Sequence, residues 1–247
     1  ASLWTIAVGV TMQFKDYAGR QQLSQGWEFL GLVAPLALLS LGLWRRAGIF
    51  SWPRAERFES YRTGWFGLAI PLLALALGFG LFLAGDPAPL AYLPILNPLE
   101  LSLIGVAFLL FGLLGSTAAL KPLRRGWPLL AFAFVTMATL RAVHHGHGEP
   151  WSPDILESGF SQASLTVAWS LSGVGALVLG SRRLDRQVWI GGVALMAIVL
   201  VKLVAVDWSY LGNMTGIVSF LAVGLLLVGV GYVAPSPPKL VDTGEGA

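Results

Sequence analysis

Apolar runs of roughly twenty residues, broken by short polar connections, set the rhythm of this chain. Seven runs are complete: 26–44, 64–84, 99–120, 126–143, 159–180, 188–206 and 214–233. At 1.5 Å rise per residue each helix would measure roughly 27–33 Å, enough to cross the hydrocarbon core of a bilayer. Within lipid the backbone must satisfy its own hydrogen bonds, so such runs are helices. The alternating ten-residue strands of a membrane β-barrel are not seen. The pattern therefore predicts an all-α fold, a polytopic transmembrane helical bundle of about seven complete spans plus a partial first one. The partial one is Leu3–Met12, read as the outgoing end of a longer span, followed by a polar connection from Gln13 to Gln25. On this reading residues 1–234 are a transmembrane helical module, a fragment of a longer chain. Residues 235–247, Pro-rich and then polar, are expected to be a disordered cytoplasmic tail.

Composition agrees. The chain is 55% hydrophobic and only 12% charged, about half the charged share of a soluble domain. Trp27, Trp44, Trp65, Trp127, Trp189 and Trp208 fall near span ends, where an amphipathic ring suits the membrane interface. There is no cysteine, which excludes disulfides and thiolate metal sites. The net charge of +3 does not indicate nucleic acid, because the basic residues sit in short connections between spans. The expected partners are the lipid bilayer and either the remaining N-terminal part of the same longer chain or another membrane subunit. No charged n-region and cleavage site precede the first apolar residues, so no signal peptide is read.

Those connections give the orientation. Residues 45–63, 121–125, 181–187 and the tail carry five, three, three and one Lys or Arg, twelve together. Residues 13–25, 85–98, 141–158 and 207–213 carry two, none, one and none, three together. The positive-inside rule places the first set, with the C-terminus, in the cytoplasm. The second set then faces outward from what would be a bacterial inner (plasma) membrane.

Most polar residues outside the cytoplasmic connections collect on that outer side, which suggests an outward-facing polar site. At its centre is Arg141-Ala-Val-His-His-Gly-His-Gly-Glu-Pro-Trp151, holding all 3 histidines. His144 and His145 are candidate catalytic acid–base groups, since imidazole titrates near neutral pH. They equally suit the negative end of a helix dipole in a solvated cap. His145, His147 and Glu149 offer three zinc-type ligands, but without the helical His-Glu-x-x-His spacing, and no metal is assigned. No cofactor is implied. Arg141 breaks the positive-inside pattern; it suits either an anion clamp or a side chain snorkelling to headgroups. Lys202 is an ionisable residue inside a span, about 7 Å below its outer end. Such a residue calls for a partner. Asp207 is about 140° around the same helix, so Glu100, Asp154 and Glu157 are the candidates. Arg141, Gln162, Lys202 and Asp207 are the candidate substrate-binding residues. The connection 85–98, with four prolines, is too apolar for a free loop and too broken for a helix. It should lie along the outer interface or fold back against protein. Asn97 should cap the next helix, with Pro98 at its first position.

The blocks Tyr92-Leu-Pro-Ile-Leu-Asn-Pro-Leu-Glu-Leu101, Arg141-Ala-Val-His-His145, Ser161-Gln-Ala-Ser-Leu165, Lys202-Leu…Asp207, Ile217-Val-Ser-Phe220 and Gly231-Tyr-Val-Ala-Pro235 carry a resemblance. Their order and spacing resemble the SbrA-like predicted membrane proteins, large bacterial inner-membrane proteins grouped as a domain of unknown function. The resemblance implies a C-terminal portion of a longer, many-helix chain and supplies no catalytic residues. One departure is Gly216, where a basic residue before Ile217 is expected.

Two function classes follow. The first is a scaffold or regulatory part of a larger cell-envelope protein, whose polar residues hold helices together. The second is an envelope enzyme acting on a lipid-linked or anionic substrate, with His144 or His145 as base and Arg141 as clamp. A transporter ranks third, because matched broken helices are not evident. The orientation is directly measurable, since the chain lacks cysteine. A Gly146→Cys variant should react with an impermeant maleimide added outside intact cells; labelling from the cytoplasmic side alone would invert the topology.

Overall fold

The computed structural model describes residues 3–45, 58–116 and 118–205, with 217, 221, 224 and 225. Among these residues there are seven α-helices and no strand: α1 Leu3–Arg20, α2 Gln25–Trp44, α3 Phe58–Leu81, α4 Pro98–Ser116, α5 Trp127–His147, α6 Gly159–Arg182 and α7 Arg186–Ala205. Six, α2 to α7, are long and apolar enough to cross a membrane, α5 together with the 3-10 turn Lys121–Gly126 that leads into it. Large apolar side chains such as Leu75, Phe79, Phe108 and Val201 point outward, as lipid-bathed helices allow. The predicted span 214–233, the tail and Gly216 lie outside the described residues, apart from the isolated positions.

Several boundaries differ from the expected ones: α4 stops at Ser116 instead of Leu120, and α5 runs to His147 instead of Val143, so the three histidines are helical and not in a loop. Two larger shifts have local reasons. α1 continues to Arg20 instead of ending at Met12. Residues 13–18 include the polar Gln13, Lys15 and Asp16 but no helix breaker, and the chain turns only at Gln22, where φ is 50°. α3 begins at Phe58, ahead of the apolar run. Its polar first turns are stabilised along the helix: Arg62 pairs with Glu59 at 2.7 Å, and the Thr63 hydroxyl donates to the Glu59 carbonyl at 2.8 Å. The i,i+3 spacing brings such side chains together on one face.

The chain divides into two compact units, 1–145 and 146–247. In the first, α4 is the central helix. Its Leu99, Leu103, Val106 and Leu110 pack with Phe29 and Val33 of α2 and Leu73 and Leu77 of α3. A polar contact joins α2 to α3 within this apolar setting: the buried Trp65 indole donates to the buried Ser40 hydroxyl at 2.9 Å.

In the second unit α6 and α7 form a hairpin. Asp185 caps α7 by accepting from the backbone N–H groups of Gln187 at 2.9 Å and Val188 at 3.2 Å. Membrane helices associate chiefly through close packing, which small residues permit. Here a Cβ on Gly180 would come within 2.5 Å of the Trp189 nitrogen, and one on Gly192 within 2.9 Å of the Gly173 carbonyl. Gly191, beside it, faces open space. Gly192→Val should therefore destabilise the hairpin by about 1–3 kcal/mol, the usual range for overpacking, while Gly191→Val leaves thermal unfolding of the full chain in detergent nearly unchanged. Equal effects would refute the packing account.

Candidate functional site

The first unit gathers its polar residues where α2 and α4 begin and where α3 and α5 end. A helix leaves its first four N–H and last four C=O groups without intrahelical partners, and in an apolar setting each needs one. The connection 82–97 supplies them. Its backbone closes α2: the N–H groups of Ser24 and Gly26 donate to the carbonyls of Ala88 at 3.3 Å and Asp86 at 3.0 Å. The single proton of the Ser24 hydroxyl lies within reach of both of those carbonyls, and the Trp27 indole donates to Pro87 at 3.1 Å.

α4 is closed from its own sequence. Asn97 is the cap, accepting the N–H of Glu100 at 2.9 Å, with Pro98 at the first helical position as expected. The Glu100 side chain sits at the third-residue position of a capping box but reaches past the cap and accepts the N–H of Ile95. This holds Ile95 at a φ of 69°, a left-handed conformation unusual for a β-branched residue.

α3 is closed from α5. Arg141 is fully buried, six residues before the end of its helix. Its Nε donates to the Leu83 carbonyl at 2.9 Å, and Nη2 donates to Gly80 at 3.2 Å and Leu81 at 2.7 Å. Nη1 donates to Glu100 Oε1 at 3.3 Å. The Arg141–Glu100 ion pair has 0% exposure on both sides. The cation sits on the negative C-terminal end of α3, and the carboxylate lies at the positive N-terminal end of α4, so each charge also meets a favourable dipole. Gly85 lets the chain turn over this pair: φ is +72°, and a Cβ there would lie 2.5 Å from Leu99 Cδ2 and 3.5 Å from Arg141 Cδ.

Tyr92 completes the cluster. Its hydroxyl donates to Glu100 Oε1 at 3.2 Å, and burial followed by the adjacent Glu100 carboxylate pushes its pKa up. Its ring stacks on His145 at 4.2 Å between centroids. His145 Nε2 lies 3.0 Å from the Ala84 carbonyl. A carbonyl only accepts, so Nε2 carries the proton. His144 meets His145 edge-on at 4.6 Å. α5 ends one turn later, where Gly148 takes a φ of 79°, the usual left-handed helix stop.

The second unit holds the other candidates. Lys202 Nζ donates to the Gln162 carbonyl at 3.1 Å and the Thr166 hydroxyl at 2.6 Å. Both of these groups belong to α6, and of the carboxylates proposed for Lys202, Glu100 pairs with Arg141. Gln162 Nε2 donates to the Leu156 carbonyl. His147 stacks on Phe160 at 4.3 Å, and the Ser158 hydroxyl donates to Glu149 at 2.8 Å.

The model of a family described as predicted membrane protein, DUF2339, matches residues 1–237. The chain belongs to the DUF2339 family. No curated protein and no solved structure matches it.

For this DUF2339 chain, then, Arg141, His144 and His145 lie together in the first unit, Gln162 and Lys202 in the second, and Asp207 outside the described residues. Arg141 does not snorkel. Four of the five N–H groups of a guanidinium are engaged by internal acceptors. Among the described residues no three His, Asp or Glu side chains gather as a metal would require. The partner that sequence reasoning did not assign to Arg141 is Glu100, and with it Tyr92, which donates to that carboxylate. The capping-box spacing of Asn97 and Glu100 was the available signal for the carboxylate; nothing local marks Tyr92.

Removing one partner of a buried ion pair strands the other charge. Arg141→Met should destabilise the full chain by about 3–5 kcal/mol, and adding Glu100→Leu should restore part of that. A double variant as unstable as Arg141→Met alone, in denaturant unfolding in detergent, would argue against the pairing.

Proposed function

We propose that this multi-pass membrane chain is a structural and assembly module of a larger cell-envelope protein. It would sit in a bacterial inner membrane with the Arg141–His145 end facing outward. The observation that carries this reading is the complete enclosure of Arg141 and its engagement with Glu100 and the α3 carbonyls. A helix-holding role needs those contacts. An anion clamp needs free N–H groups for its ligand, and little of this guanidinium remains to offer. Lys202, engaged by the Gln162 carbonyl and the Thr166 hydroxyl, supports the same role within the second unit. Outward orientation is supported by the twelve-to-three division of Lys and Arg among the connections.

The enzyme reading makes the opposite forecast for the histidines. In a complementation assay of the full chain, His145→Ala should retain function at normal membrane levels. Arg141→Met should lose function together with protein abundance. Loss of function in His145→Ala at undiminished abundance would replace this reading with an acid–base role.

A further inference from the structure

Between α2 and α4 of the first unit lies a groove of about 490 Å³. We propose that it seats one acyl chain of a bilayer phospholipid, as a resident lipid and not a passing neighbour. Its walls are Leu30, Ala34 and Leu38 on α2 and Leu101, Gly105 and Val106 on α4, with Leu90 and Leu96 of the connection at one end.

The lining has almost no polar capacity left. Ser102 Oγ donates to the Pro98 carbonyl at 2.6 Å, and the Trp27 indole is held by Pro87 at 3.1 Å. Water or a polar ligand would find few partners there, and a stable buried water needs two to four. The occupant is therefore apolar.

Depth and continuity select a lipid chain. From Trp27 to Leu38 the α2 wall rises about 16 Å, and from Pro98 to Val106 the α4 wall rises about 12 Å, at 1.5 Å per residue. One leaflet of the hydrocarbon core is about 15 Å deep, so the groove matches a single leaflet. Both helices start at the end where the connection crosses, and there Leu90 and Leu96 form the end of the groove. Laterally the groove opens onto Leu38 and Leu101, 66% and 50% exposed, and so continues into the lipid-facing surface of these membrane-spanning helices. A further transmembrane helix, about 10–12 Å wide with its side chains, would run the full hydrocarbon core of about 30 Å, roughly twice the length of the groove. A flexible chain ends where the leaflet ends.

Gly105 allows the groove to be filled. A Cβ there meets nothing within 4 Å, and a side chain on α4 leans toward the helix N-terminus, along the groove. Gly67 on α3 is equally open and lies outside it. The full chain is reconstituted in phosphatidylethanolamine vesicles, re-extracted into a non-ionic detergent, washed and weighed by native mass spectrometry. The wild-type protein and Gly67→Phe should each keep one phospholipid per chain through the wash. Gly105→Phe, and independently Ala34→Leu, should lose it while keeping the wild-type thermal unfolding profile. A wild-type protein that emerges without lipid overturns the proposal, as does a Gly105→Phe protein that retains it. A dimer that Gly105→Phe disperses, with no lipid adduct, would assign the groove to a second copy. Because no variant touches Arg141 or His145, failure here leaves the assembly reading standing.

Discussion

A helix that ends near lipid must hand its unsatisfied backbone groups to something other than water. The first unit meets this requirement for three helix ends around one crossing, residues 82–97, with α5 contributing Arg141. Backbone carbonyls of Asp86 and Ala88 serve α2, the Asn97 side chain serves α4, and the Arg141 guanidinium serves α3 from a helix that arrives 58–61 residues later. Glu100 then neutralises the guanidinium and restrains Tyr92 and Ile95. The buried ion pair is thus a consequence of closing α3: a cation suits open carbonyls, and a cation under 82–97 needs an anion. The same crossing carries Leu90 and Leu96 to the end of the α2–α4 groove, so lipid contact and helix closure share one element.

The described helices of the second unit meet by close approach. Its helices are brought together by glycines whose neighbours leave no room for a Cβ. Its one ionisable group within the described helix interior, Lys202, donates to a carbonyl and a hydroxyl on α6. Close approach supplies dispersion contacts that lipid tails cannot match, and the lysine adds direction to a seam that glycines alone would leave free to slide.

Much of the architecture was legible because the bilayer writes it in hydropathy: six spans stand within a few residues of where the apolar runs place them. The boundaries that moved most, at α1 and α3, did so where polar residues continue a helix beyond its apolar stretch, which hydropathy does not register. The Asn97-Pro98 cap was legible because capping is local. Arg141 was legible as an anomaly, since it breaks the basic-residue pattern, but not as a clamp. Its partners come from α3, α4 and the crossing between them, and no spacing within the sequence encodes contacts at that separation. Lys202 was similar: a demand for a partner was readable, while among the groups it meets is a backbone carbonyl, which every residue carries and none advertises.

The separation between Glu100 and Arg141 has a consequence for how the protein is made. Chains are synthesised from the N-terminus, so the carboxylate and the open end of α3 exist before the guanidinium that completes them. A chain not yet extended through Arg141 holds Glu100 without the cation that pairs with it, and membranes penalise such a charge. Closure of the open end of α3 therefore waits on α5, the helix that carries Arg141.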